Sequence, residues 1–183
     1  TSNNCVASSF QQDTTQFFAL GRQHIIGPFQ LDCDVRCDQF DRVMGGQPGD
    51  IWGRAGTNET RWRSENPVDL AANLATVEVQ LRTGNGQPGG EHGGEFDIQE
   101  EGVSQATATL HARLDALGID HVYDDYGPGA HSWPYWRDAL AATLPAIVAA
   151  TAAPEPDPTT VEHLAHEPTF SVWGHRVALE RDN

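Results

Sequence analysis

The clearest pattern of apolar and polar positions runs from Val77 to Leu117. Val77, Val79 and Leu81 alternate with Glu78, Gln80 and Arg82, the period-2 arrangement of a strand with one face buried and the other in water. The glycines of TGNGQPGGEHGG end that strand at once. Val103, Ala106, Leu110, Leu114 and Leu117 then recur at helical spacing on one face, with Gly118 placed to terminate the helix. Glu100 and Glu101 stand near its start, where the helix dipole favours carboxylates. Residues 121–126 read as a second strand. After the loop GPGAHSW a helix is predicted from Trp133 to about Ala150, with Pro134 in its first turn. Trp136, Leu140, Leu144 and Ile147 are its expected buried stripe, and Pro145 should kink or shorten it.

Outside this stretch the pattern is weaker. Asn66-Pro67 marks a turn, and VDLAANL reads as a short helix capped by Asn66. Residues 1–37 hold short apolar patches, at 17–20 and at Ile25 and Ile26, with no sustained period. AAPEPDP has linker composition, and residues 169–173 and 176–179 look like two short strands beyond it. The order strand, helix, strand, helix from Thr76 to Ala150 predicts an α/β fold built on a mostly parallel sheet with flanking helices. Chemistry in such sheets sits at the carboxyl ends of the strands. Two segments occupy those ends here, the acid-bearing glycine stretch and GPGAHSW.

Composition narrows the partners. The 183 residues suffice for one domain but not for two ordinary ones. With 26 acidic against 11 basic side chains the formal charge is −15, which argues against a nucleic-acid or anionic-membrane surface. The apolar share is 38%, and no apolar run approaches the roughly 18 residues of a membrane span. The first ten residues lack the basic and apolar regions of a signal peptide. Cys5, Cys33 and Cys37 form an odd set that allows one disulfide at most, and with His24 they fit no strong zinc pattern. His92, His111 and His121 fall on a loop, a helix and a strand without ligand spacing. No metal and no cofactor are expected.

GPGAHSWPYWRDAL resembles the histidine loop of the antigen 85 mycolyltransferase and related secreted serine esterase family. The likeness extends to DIWG, RWRSENPVDLAANL and TGNGQPGG, and so covers residues 38–150. It implies the C-terminal half of an α/β-hydrolase fold, incomplete at its N-terminus, with a Ser–Glu–His triad in that chain order. His131 matches the catalytic histidine, general base toward a serine hydroxyl and then general acid toward the leaving group. Glu100 matches the acid that orients it, although Glu91, Glu95, Asp97 and Glu101 lie close by. Trp52, Trp62 and Trp133 would line the acyl pocket, with Trp136 beside it or in the core. The implied organisation is an unmatched segment 1–37, an α/β-hydrolase half at 38–151, and a linker with a short β extension at 152–183. An ester or acyl-lipid substrate and an extracellular or cell-envelope location are implied in the same way.

One part of the implied machinery is not visible. None of Ser2, Ser8, Ser9, Ser64, Ser104, Ser132 and Ser171 stands in a Gly-x-Ser-x-Gly elbow, and the HGG of EHGG comes too late in the chain for an oxyanion loop. Two functions follow. In one, the complete protein hydrolyses or transfers an ester through an acyl-serine, this chain supplying the histidine and the acid. In the other, the chain is an inactive truncated remnant or a protein-interaction module. A half sheet would leave surface uncovered, so self-association or pairing with a missing N-terminal half is expected.

Overall fold

The computed structural model describes strand residues 18–19 and 24–26 and residues 53–54, 56–153, 160, 162–172 and 175–180. Four strands form the main sheet: β1 (Phe18–Ala19), β2 (His24–Ile26), β3 (Glu78–Thr83) and β4 (His121–Asp125), in that spatial order. β1 pairs antiparallel with β2, whereas β2–β3 and β3–β4 are parallel. The described sheet is therefore mostly parallel, and the fold is α/β. β1 and β2 use two of the aperiodic apolar patches of the first 37 residues. Strands of two and three residues are too short to show a period, and pairing defines them, β2 with β3 and β1 with β2.

β3 departs from the half-buried strand its alternation predicts. Glu78 is exposed, but Val79, Gln80 and Leu81 are all buried. A strand between two parallel neighbours is covered on both faces, and Gln80 meets the cost of burial by donating to Glu78 Oε1 at 2.8 Å.

α2 (Ile98–Leu117) crosses back from β3 to β4. Its Leu114, fully buried, closes a core with Ala71, Val79 and Leu81, against which Leu74, Val77, Leu110, Ile119 and Tyr123 pack. Burying a leucine in this way contributes about 1.5–3 kcal/mol. Val103 and Ala106 are buried as their spacing predicts, but Leu117 in the last turn is exposed. Gly118 ends α2 at φ 67°, its N–H donating to Asp115 O while Ile119 N–H reaches Leu114 O. A methyl there would meet no described atom within 4 Å, so Gly118→Ala tests backbone strain alone. The expected cost is about 1 kcal/mol, read as a lower urea midpoint at unchanged slope. An unchanged midpoint would contradict the left-handed cap.

Residues 56–74 hold α1 (Glu59–Glu65), which the sequence pattern did not reveal, and a 3-10 turn at Ala71–Leu74 in place of a helix over VDLAANL. Asn66 is the C-cap of α1, and its side chain then accepts from Val68 N at 2.9 Å to start the next turn.

α3 (Trp133–Ala152) runs through Pro145 and is not shortened by it. The carbonyl left without a donor belongs to Ala141, four residues earlier on an exposed face where water can reach it. The buried stripe is Tyr135, Thr143 and Ile147, whereas Trp136 is half-buried and Leu140 and Leu144 are exposed. The helix is turned about one residue from its most apolar face because polar groups on the inner side find partners. Thr143 Oγ1 accepts from Arg82 Nε at 3.0 Å, and Arg82 also pairs with Asp124.

β5 (Thr169–Val172) and β6 (His175–Ala178) form an antiparallel hairpin. Asn73 fixes the approach to it through a reciprocal pair of bonds with the Leu164 backbone, at 2.9 and 2.7 Å. No helix among the described residues is long and apolar enough to cross a membrane.

Candidate active site

Parallel pairing brings the ends of β3 and β4 to one rim, Thr83 opposite Asp125. Pairing continues into the loops: Tyr126 N–H donates to Thr83 O and Asn85 N–H to Gly127 O. The glycine loop after β3 is drawn back where Asp97 N–H donates to Gly86 O at 2.8 Å. Asp97 is also the N-cap of α2, its Oδ1 accepting from Gln99 N and Glu100 N at 2.9 and 3.2 Å. That cap fixes the first turn of the helix, and Glu100 projects from it onto the end of β3.

Glu100 is buried, 3% exposed, and both its oxygens are engaged. Oε1 accepts from Gly84 N–H at 2.7 Å and Tyr126 O–H at 3.3 Å, and Oε2 accepts from His131 Nδ1 at 2.9 Å. The His131 side chain is 7% exposed. Its backbone N–H donates to Asp97 Oδ2 at 2.8 Å, so the two acids hold His131 at separate points, Asp97 by the main chain and Glu100 by the ring. Glycine is favoured at 84 by space, since any residue but proline would supply the N–H. A Cβ would lie 2.8 Å from the Tyr126 ring and 3.1 Å from the Gly129 Cα.

The chemistry follows from the contact. With the proton on Nδ1 facing the carboxylate, Nε2 carries the lone pair. An imidazole oriented this way can accept a proton at Nε2, and the buried carboxylate stabilises the imidazolium that results. Of the five neighbouring acids, Glu100 is the one on the ring. Asp97 has a positioning place that the sequence reading did not assign, although an Asp three residues before Glu at a helix start is a recognisable capping arrangement.

Tyr126 and Tyr135 stack at 5.7 Å between centroids, nearly parallel. Tyr135 O–H donates to Gly93 O at 3.0 Å and accepts from His92 N–H at 3.3 Å, so it fastens the GEHGG loop over the rim. The EHGG segment is thus closed through the main chain of His92 and Gly93. Asp138, whose carboxyl is held below its ordinary range by His92 and then Arg137, anchors the other side of His92.

Tyr126 has its phenol pushed far above the ordinary range, first by burial and then by the adjacent Glu100 carboxylate. The folded chain therefore holds this proton more tightly than the unfolded chain, whose tyrosines titrate near 10. The stability this contributes is complete below about pH 10 and is lost as pH rises toward the folded value. Denaturation midpoints measured between about pH 9 and about pH 11 should fall for the wild type and fall less steeply for Tyr126→Phe. Identical slopes would contradict the assignment.

The tryptophans separate. Trp133 is 76% exposed at the start of α3 and meets Trp136 edge-on at 5.1 Å, and Trp136 in turn meets the His131 ring edge-on at 4.8 Å. These three residues form one aromatic row leading from solvent to the imidazole. Trp62 is buried on α1 with its indole N–H on Gly53 O at 3.1 Å. Trp52 lies outside the described residues, as do Ser8 and Ser9. Among the histidines set aside for lack of ligand spacing, His111 and His121 come together, with Nδ1 and Nε2 2.7 Å apart.

Comparison with known families finds a match to the Esterase family, described as "Putative esterase", over residues 14–147, more than half of the chain. Neither curated proteins nor solved structures gave a match.

Proposed function

The chain belongs to the Esterase family, and from that premise we propose that His131 and Glu100 are the base and orienting acid of an acyl-serine ester hydrolase. Ester hydrolysis is the chemistry the family implies. The supporting observation is the 2.9 Å contact between His131 Nδ1 and Glu100 Oε2, with both side chains buried at the carboxyl rim of a parallel sheet. The aromatic row of Trp133 and Trp136 beside the imidazole suits an apolar acyl group. Antigen 85-like transfer of an acyl chain to a sugar or lipid hydroxyl would use the same pair, since acceptor choice depends on how water is admitted.

A second reading, a non-catalytic remnant or interaction module, is favoured by one fact: no serine of the chain stands in a Gly-x-Ser-x-Gly elbow. A fluorophosphonate probe with a chromogenic short-chain ester separates the two. Labelling and turnover that both disappear in His131→Ala, with the labelled peptide naming the nucleophile, is the outcome the catalytic reading requires. Labelling of a longer form but not of this chain would place the nucleophile outside these residues, and a folded protein that neither labels nor turns over ester in either form would leave the remnant reading standing.

A further inference from the structure

The opposite end of α2 carries a second constellation that ester hydrolysis does not use. His111 and Asp115 are four residues apart, hence on one face of the helix, and His121 opens β4 just beyond the Gly118 turn. Ligand atoms of all three lie within 4.8 Å of one another. His111 Nδ1 is 2.7 Å from His121 Nε2, which is 4.0 Å from Asp115 Oδ1. We propose that His111, Asp115 and His121 bind a divalent transition metal of the zinc type, which staples the end of α2 to the start of β4.

Three features support this beyond proximity. His121 is nearly enclosed, and its Nδ1–H donates to Ile119 O at 2.8 Å. That bond fixes the tautomer and turns the Nε2 lone pair toward the cluster, the backbone-carbonyl arrangement characteristic of metal-binding histidines. The His111 ring is held from behind by the Tyr123 ring, stacked at 4.1 Å with an interplanar angle of 14°. Asp115, by contrast, is 62% exposed and able to swing onto an ion. Two imidazoles and a carboxylate are a donor set suited to zinc, with water completing four-coordination.

The adjustment needed is small. Zinc–nitrogen bonds near 2.0–2.1 Å in tetrahedral geometry place two ligand nitrogens about 3.3 Å apart, so the rings would open by about 0.6 Å from the 2.7 Å hydrogen bond they now share. Without a metal the His111 Nδ1–H fills that place, and on loading the ring's proton moves to Nε2, which lies 3.5 Å from Asp115 Oδ2. Glu100 and His111 are eleven residues apart on α2, about 16 Å along the helix axis. The ion would therefore act on the helix-to-strand joint and not on the reaction.

Titration of the intact chain with Zn²⁺ by calorimetry, and with Co²⁺ by visible absorption, tests this. The expected result is one site with micromolar or tighter affinity, a raised Tm, and a cobalt spectrum of a four-coordinate nitrogen–oxygen site without a thiolate charge-transfer band. Because outer-shell changes alone cost 10–100-fold in metal affinity, loss of a ligand in His111→Asn should weaken binding by at least about 100-fold. Asp115→Asn, at an exposed position that leaves folding intact, should weaken it measurably. Ester turnover, where present, should be unchanged in both. Millimolar binding, or binding indifferent to both substitutions, would reduce the cluster to a histidine–histidine hydrogen bond.

Discussion

Replacing His131 with alanine is expected to lower kcat for ester hydrolysis by about 10⁴-fold or more, with KM little changed. The ring is the one described base seated on a buried carboxylate at the sheet's carboxyl rim. Without it nothing takes the proton from the attacking hydroxyl or returns it to the leaving group. A loss of this size corresponds to about 5.5 kcal/mol of transition-state stabilisation. The substitution also disturbs the fold, because Glu100 Oε2 loses its donor and Trp136 loses an edge contact. That structural cost is about 1–3 kcal/mol. Since domains have about 5–15 kcal/mol of stability, the variant should remain folded, and misfolding cannot account for the kinetic loss. His131→Gln, which fills more of the space and can still donate to the carboxylate, should recover stability without recovering turnover. Turnover within about tenfold of wild type in a folded His131→Ala protein, a deficit of about 1.4 kcal/mol, would remove His131 from the mechanism.

Much of this site was legible because its elements are long or strongly signalled. The period of Val103, Ala106 and Leu114 defines α2, and Gly118 stops it where expected. The loop after β4 carries His131 to the predicted rim, and the family resemblance, not the local pattern, singles out Glu100 from five acids. Features that depend on tertiary partners were not legible. β2 exists through pairing with β3 and β1 through pairing with β2, which no local pattern announces. Gln80 reads as a solvent-facing residue but is covered because β3 is central. In α3 the apolar row through Leu140 and Leu144 outweighs the true inner row in hydrophobicity. Tyr135 and Thr143 win because the tyrosine closes the GEHGG loop and the threonine accepts from Arg82. The meeting of His111 with His121 has the same origin. Their separation of ten residues means little until a helix end and a strand start are folded against each other across Gly118.

Glu100 offers the second large effect, because its two oxygens have separable duties. In Glu100→Gln the amide oxygen can still accept from Gly84 N–H and Tyr126 O–H, so stability should fall by about 1 kcal/mol or less. The amide nitrogen then faces His131 Nδ1, two donors opposed where a donor met an acceptor. The ring answers by moving its proton to Nε2, the nitrogen that must be bare to act as base, and kcat should fall by about 10⁴-fold. Glu100→Ala removes both duties. It strands the Gly84 N–H and the Tyr126 hydroxyl in a buried site and leaves a cavity, for an expected stability loss of about 2–4 kcal/mol. Its kcat need be no lower than that of the glutamine variant, since the imidazole is released but not blocked. Both variants should also ease the Tyr126 phenol back toward its ordinary range, because the neighbouring charge that raises it is gone. Kinetics, urea denaturation and phenolate absorbance on the same three proteins read these effects independently. A glutamine variant that keeps wild-type turnover would show that the carboxylate serves packing alone, and the acid of the pair would have to be sought elsewhere.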